Sequence, residues 1–327
     1  MWGNQRGWII AGMIGAGLLA LLAYAVIPPG ITPPTNAPVV ALAMQPANLP
    51  TDPDSVVPAP ASDCDAADHY RRASDDWTGN SVLYEAYQTN VTQADQKPPQ
   101  AIMQIVAGVD CARMNLFSLK PEEVITYHAD RPTLDALFAA GNLLNQLALL
   151  HTTDEYKKDD LAQQYATAAF NLGRHLYLER ICFLEWTDGV VLMEGAAGVL
   201  QRVEKDPEKA KALGDFAVAC NSFEREKITP LWQILNGQDE QEKAIYAGDI
   251  FQIAQSSPDR MWRVEATLKL GRFKFNAATR GDQSGARRVL AQMVASPSLS
   301  GDPLTESSVR AAAELASNLT ILDYRQI

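Results

Sequence analysis

The run from Trp8 to Ile27, WIIAGMIGAGLLALLAYAVI, holds twenty residues without a single charge. At about 1.5 Å of rise per residue, a helix of this length crosses the roughly 30 Å of a bilayer's hydrocarbon. The run therefore predicts a transmembrane helix over 8–27. Trp2 and Trp8 at one end and Tyr24 near the other are rings suited to the headgroup zone. Pro28-Pro29 supplies a stop.

Charge orients such a helix. Arg6 precedes the run, and no Lys or Arg follows it until Arg71. That asymmetry places residues 1–7 in the cytoplasm and the main domain outside it, periplasmic in a bacterium. A second reading stays open, because Ala23-Tyr24-Ala25 matches the small-x-small pattern of a signal-peptide cleavage site. Both readings export the rest of the chain. Gly12, Ala16 and Ala20 fall on one helical face, a spacing that lets a second transmembrane helix approach closely.

Residues 28–61 hold ten prolines and almost no charge. This composition favours extended, polyproline-like chain and predicts a linker with a reach of about 100 Å. The apolar patch Val39-Val40-Ala41-Leu42-Ala43-Met44 interrupts it. It either packs on the domain or a membrane partner, or stays a sticky disordered stretch.

From 62 to 327 the apolar residues recur at helical spacing, as in Ala66, Ala67, Tyr70, Ala73 and Trp77, with Asp63 placed to cap the first turn. Leu134, Leu137, Phe138, Leu144, Leu147 and Leu150 repeat the pattern, and so do Tyr165, Ala169, Leu172 and Leu176. No run of alternating β-branched residues interrupts them, so the domain is expected to be all-α. Asp206-Pro207 fits an N-cap followed by the first helical residue, Ser257-Pro258 opens a further helix, and Pro230 should kink or end one. Starts near 133, 155, 185, 207, 239, 258, 283 and 305 suggest an α-solenoid of stacked helical hairpins.

Within 258–320, the stretch Met261-Trp262-Arg263-Val264-Glu265-Ala266-Thr267-Leu268-Lys269-Leu270-Gly271 resembles the first helix of a HEAT-type repeat. Ser308-Val309-Arg310-Ala311-Ala312-Ala313-Glu314-Leu315-Ala316 resembles the start of another unit. Tetratricopeptide repeats are the near alternative, but no 34-residue window satisfies their spacing. The resemblance implies the architecture and a habit of binding other proteins, and nothing about chemistry.

Local signatures of catalysis are missing: there is no nucleophile elbow, phosphate loop, dinucleotide fingerprint, zinc-protease helix or EF-hand. No cofactor is expected. A net charge of -11 argues against nucleic acid as a partner. Asp63, Asp65, Asp68 and His69, with Arg71, Arg72, Asp75 and Asp76 nearby, form the densest polar cluster; it reads as a helix first turn sooner than as a metal site. His128, His151 and His175 stand singly and read as structural. Cys64, Cys111, Cys182 and Cys220 lie far apart, without a CxxC pair. In an oxidising compartment they permit disulfides, with Cys64–Cys111 and Cys182–Cys220 the expected pairing.

Trp186, Trp232 and Trp262, with Arg260, Arg263 and Arg272, combine the two residue types most enriched at interface hot spots, and are the candidate protein interface. The competing reading makes those tryptophans fillers between helices. The chain is therefore expected to be a non-catalytic, membrane-anchored extracytoplasmic scaffold or accessory subunit that binds other proteins of a membrane complex. The alternative is an extracytoplasmic all-α enzyme whose site gathers dispersed Asp, Glu, His and Arg.

Overall fold

The segment after Ala61 opens with a strand, not with a capped helix. β1 (Ser62–Asp65) pairs in parallel with β2 (Cys111–Arg113), and the Cys64–Cys111 disulfide ties the two together. Parallel neighbours need a crossover between them. Here the crossover is four helices: α1 (Ala67–Gly79), α2 (Ser81–Thr89), α3 (Val91–Gln96) and α4 (Gln100–Gly108). Four longer α-helices follow as α5 (Pro132–Leu150), α6 (Asp159–Glu179), α7 (Phe183–Val203) and α8 (Pro207–Phe223). This is the computed structural model of residues 41, 43–116, 132–180, 183–230, 253, 257–259, 261, 262, 265 and 266, to which every structural statement below is confined.

The chain divides into two units, Ala47–Thr229 in one and Met1–Pro46 with Pro230–Ile327 in the other. In the first, α6 is the central element: every residue from Ala168 to Tyr177 is buried. A helix enclosed on all faces needs neighbours all round. It has α5 and α7 beside it, α4 against it, and the chain before β1 lying over its C-terminal half. α7 packs closest. A Cβ at Gly173 would come within 2.6 Å of the Gly189 carbonyl oxygen, and one at Gly189 within 2.6 Å of the Gly173 oxygen. Only glycine at both positions lets the two backbones meet. α7 in turn carries α8 and touches α5, while α1 packs on both α4 and α5.

Local chemistry accounts for the helix ends. Asp206 accepts from the Glu208 and Lys209 amides with Pro207 in the first turn, as an N-cap followed by proline should. Before Pro230 the helix widens into a π turn at Glu224–Ile228. Proline has no N–H to donate, and its ring crowds the carbonyl four residues back, which a wider turn relieves. At α1 the N-cap position is Ala66, not Asp63, and has no side-chain cap; Asp65 just before it accepts from Ala67 N at 2.9 Å. Asp63 instead pairs with Arg113 at 3.3 Å on the surface.

The expected architecture is thus corrected on several points. Among the described residues no helix is long and apolar enough to cross a membrane; the span expected at 8–27 lies outside the described residues, and with it Gly12, Ala16 and Ala20. The domain is mostly helical but not all-α, because a strand of four residues with three exposed side chains leaves no hydrophobic alternation to read. Nor is the first unit a solenoid in which each hairpin touches only the next, since α1 and α4 of the crossover pack against α5 and α6.

The linker is corrected too. Residues 47–61 are not a free arm: Ala47, Leu49, Pro53 and Val57 are buried, and a 3-10 turn at Pro53–Ser55 is capped by Asp52. In the second unit, Ser257 donates to the Ala43 carbonyl at 2.6 Å, and Asp259 accepts from the Met261 amide at 3.1 Å where the helix containing Met261 and Trp262 begins. Glu265 and Ala266 of the HEAT-like stretch are also helical and buried, and its remaining residues lie outside the described residues.

Candidate functional site

Polar side chains on an enclosed helix must be paired, because leaving a buried donor or acceptor unsatisfied costs about 1–3 kcal/mol. The polar residues of the last turns of α6 meet this condition largely with groups from other segments, and so decide what is fastened to the helix. Arg174, 2% exposed, reaches the strap formed by residues 47–58: its guanidinium donates to the Val57 carbonyl, to Pro58 O at 3.4 Å and to Asn171 Oδ1 at 2.7 Å. Its Nε lies 3.1 Å from the Asp54 carboxylate, an ion-pair contact, and its charge sits 5.3 Å from the centre of the Phe170 ring. Burial pulls the Arg174 pKa down, while Asp54 and Asp52 push it back up.

Further along, the Leu49 amide donates to Tyr177 Oη at 3.0 Å, and the indole N–H of Trp186 donates to the Ala47 carbonyl at 2.9 Å. Arg180 closes α6 with φ of 30°, a left-handed conformation that side chains other than glycine rarely adopt. That conformation accompanies bonds to Asn48 Oδ1 at 3.0 Å and Ala47 O at 3.4 Å, with the guanidinium 5.6 Å from the Tyr177 ring centre. A proline-rich strand has few N–H groups to satisfy but keeps all its carbonyls. The α6–α7 face provides the matching donors, two arginines and an indole, on an aromatic floor of Tyr177 and Trp186.

His175, next to Arg174, holds the other fastening. Its Nε2 donates to the Cys111 carbonyl at 2.9 Å, which leaves Nδ1 to accept from the Tyr70 hydroxyl at 2.8 Å. That pattern requires the neutral ring. Burial first, and the Arg174 charge in addition, bring its pKa down to about 4, against the upward pull of the Cys111 carbonyl and of Asp65. Tyr70, fully buried, is raised well above the usual phenol value by burial.

The stability consequence has a definite sign. As pH falls below about 6.5 the unfolded chain takes up the proton that folded His175 refuses, so its contribution is complete above that value and is lost down to about 4, some 3 kcal/mol in all. Urea midpoints measured at pH 7 and pH 4.5 should fall more in the wild-type protein than in His175→Gln, which keeps a donor for Cys111 and does not titrate. Equal falls would show that other groups account for the acid sensitivity.

His151 makes a separate clasp, with Nε2 2.8 Å from Asp95 Oδ1 on α3, Nδ1 2.9 Å from the Tyr156 carbonyl, and its ring near Tyr165. Asp76 does similar work for α4, its carboxylate accepting from the Ala101 amide at 3.0 Å and from the Tyr84 hydroxyl. Tyr84 stacks on Trp77, and its pKa is raised by burial and by Asp76.

The sequence candidates fall out unevenly. Trp186 is fully buried between Tyr177 and Phe223, and Trp262 is 1% exposed, so neither ring offers an outer binding surface; both fill the interior, which is where large apolar rings gain most from leaving water. Trp232, Arg260, Arg263 and Arg272 lie outside the described residues. Cys64 and Cys111 are joined, whereas Cys220 is a buried free thiol, pushed up to about 12 by burial and by Glu194 and Glu224, and is not bonded to Cys182, which lies outside the described residues. The acidic cluster disperses: Asp65 accepts from the Ala67 and Asn115 amides, Asp68 pairs with Arg71, and His69 meets Gln104. Burial raises the Asp65 pKa, but the bonds from Asn115 and Ala67 and the Arg113 charge outweigh it and leave it lowered. Among the described residues no three His, Cys, Asp or Glu side chains are grouped to hold a metal.

Sequence reasoning missed Arg174, Tyr177 and Arg180. The available signal was Leu172-Gly173-Arg174-His175-Leu176-Tyr177, where two polar side chains interrupt an apolar stretch of a helix, a position that demands buried partners. No family model, no curated protein and no solved structure matches this chain.

Proposed function

We propose that this protein is a non-catalytic, extracytoplasmic scaffold or accessory subunit that binds other proteins of a membrane-associated complex. The observation that carries this reading is the α6–α7 face, whose arginine, tyrosine and tryptophan side chains hold a proline-rich strap by its own backbone groups. Such a face suits protein recognition more than small-molecule chemistry. The Cys64–Cys111 disulfide supports an oxidising compartment. The apolar run Trp8 to Ile27 directs the search for partners to membrane complexes.

The test is affinity purification of the tagged full-length protein from native membranes in mild detergent. One or more chains should co-purify in fixed stoichiometry and persist through a sizing column. Recovery of the protein alone under several detergents would overturn the proposal.

A further inference from the structure

Most of the strap's fastenings to α6 and α7 are made to its main chain. Arg174 bonds the Val57 and Pro58 carbonyls, Arg180 and Trp186 bond the Ala47 carbonyl, and the Leu49 amide bonds the Tyr177 hydroxyl. The side-chain requirements are few: small apolar groups at the positions of Ala47, Leu49, Pro53 and Val57, which are buried, and an acidic group at Asp54 facing Arg174. Asn48 adds one side-chain tie by accepting from Arg180, whereas Pro50, Asp52, Ser55 and Pro58 are exposed. A proline-rich segment with those anchors and the same turn at the positions of Pro53–Ser55 meets the same conditions, because main-chain carbonyls are common to all sequences.

Arg174 and Trp186 are 2% and 0% exposed, and both donate to carbonyls of the strap. The strap joins β1 only through the exposed or half-exposed residues Pro58 to Ala61, so it can lift without disturbing the sheet or the disulfide.

We propose that the α6–α7 face is a recognition site for a proline-rich segment of a partner protein that takes the strap's bent course and carries an acidic residue opposite Arg174, and that residues 47–58 occupy it in cis as a displaceable cover. This rests on the protein-binding function proposed above and names the chemistry of its partner. A tethered occupant competes at an effective concentration on the order of millimolar, so a partner segment gains the site when it binds more tightly than the strap or is itself held nearby.

The probe is a fluorescein-labelled peptide of the strap sequence, QPANLPTDPDSVVPAP, titrated by anisotropy against the oxidised full-length protein. The strap variant Leu49→Asp with Val57→Asp, whose two charges oppose burial of its own strap, should bind the peptide at least tenfold more tightly than the wild type does. A peptide with lysine in place of the Asp54 aspartate should lose at least tenfold of that affinity. No binding to a strap variant that keeps its helical circular dichroism, or binding indifferent to the lysine exchange, would overturn the proposal and make the strap a fixed part of the fold.

If the variant does not fold, hydrogen exchange of the wild-type protein decides. Excess unlabelled peptide should accelerate exchange at the Leu49 amide, and unchanged protection counts against displacement. Co-purified partners that the peptide does not release would leave the accessory-subunit reading standing and end this one. Purification of the chain alone would end the former.

Discussion

Replacing both Cys64 and Cys111 by alanine is expected to lower the stability of the unit Ala47–Thr229 by about 4 kcal/mol. The bond closes a loop with a sequence separation of 47 residues, and the chain-entropy relation assigns a loop of that size about this much stabilisation at 25 °C. β1 and β2 are four and three residues long, too short to pair stably by themselves. The other supports are His175, which donates to the Cys111 carbonyl, and the exposed contacts Asp63–Arg113 and Asp65–Asn115. Since a domain of this size is stable by only about 5–15 kcal/mol, the loss is a large part of the total. Urea unfolding of the double variant against the oxidised wild type measures it directly. A difference below about 1 kcal/mol would show that His175 and the helical crossover fix the strands unaided.

Arg174→Ala is expected to cost nearly as much, about 4 kcal/mol, by a different route. The substitution leaves the Val57 carbonyl and the Asn171 carboxamide oxygen buried without their donor, at about 2 kcal/mol each. The fold can limit that penalty only by lifting the strap into water, which exposes Leu49 and Val57, each worth about 1.5–3 kcal/mol when fully buried. Asp54, on the surface, is hydrated either way. The variant should therefore show both a lower urea midpoint and new proteinase K cleavage between residues 47 and 61, with the helical core intact. Arg174→Lys should recover only part of the loss, since an ammonium cannot reproduce the planar fork that serves Val57, Pro58 and Asn171 together. Wild-type resistance to cleavage in Arg174→Ala would show that the buried apolar anchors alone seat the strap.

The legible parts of the fold are those where local chemistry and tertiary packing demand the same residue. Asp206 followed by Pro207 caps α8 as the dipeptide indicates, because a cap depends on neighbours two and three residues away. The apolar spacing Ala66, Ala67, Tyr70, Ala73 and Trp77 marks the buried face of α1 and its approach. The illegible parts depend on residues far apart in the chain. Nothing near Asp63 or Asp65 tells which of them lies against the start of α1; Asn115, fifty residues on, holds Asp65 there by donating to it twice. Trp186 left two readings open, interface anchor or filler between helices, because tryptophan serves both, and only its neighbours Tyr177 and Phe223 and the Ala47 carbonyl settle which. The proline-rich stretch looked free because composition reveals neither its turn at Pro53–Ser55 nor the donors that α6 and α7 supply to its carbonyls.

The amino-acid sequence alone determined that the domain is largely helical, where several of its helices begin, and that no local motif supplies catalysis, since each of these is set by residues within a turn or two of one another. Only the tertiary structure decided that α6 is enclosed on every side, that Cys64 meets Cys111 across two paired strands, and that residues 47–58 lie on Arg174, Tyr177 and Trp186. These are long-range contacts, selected by the cost of leaving buried donors, acceptors and apolar surface without partners, and that cost has no local imprint beyond a polar pair in the middle of an apolar helix.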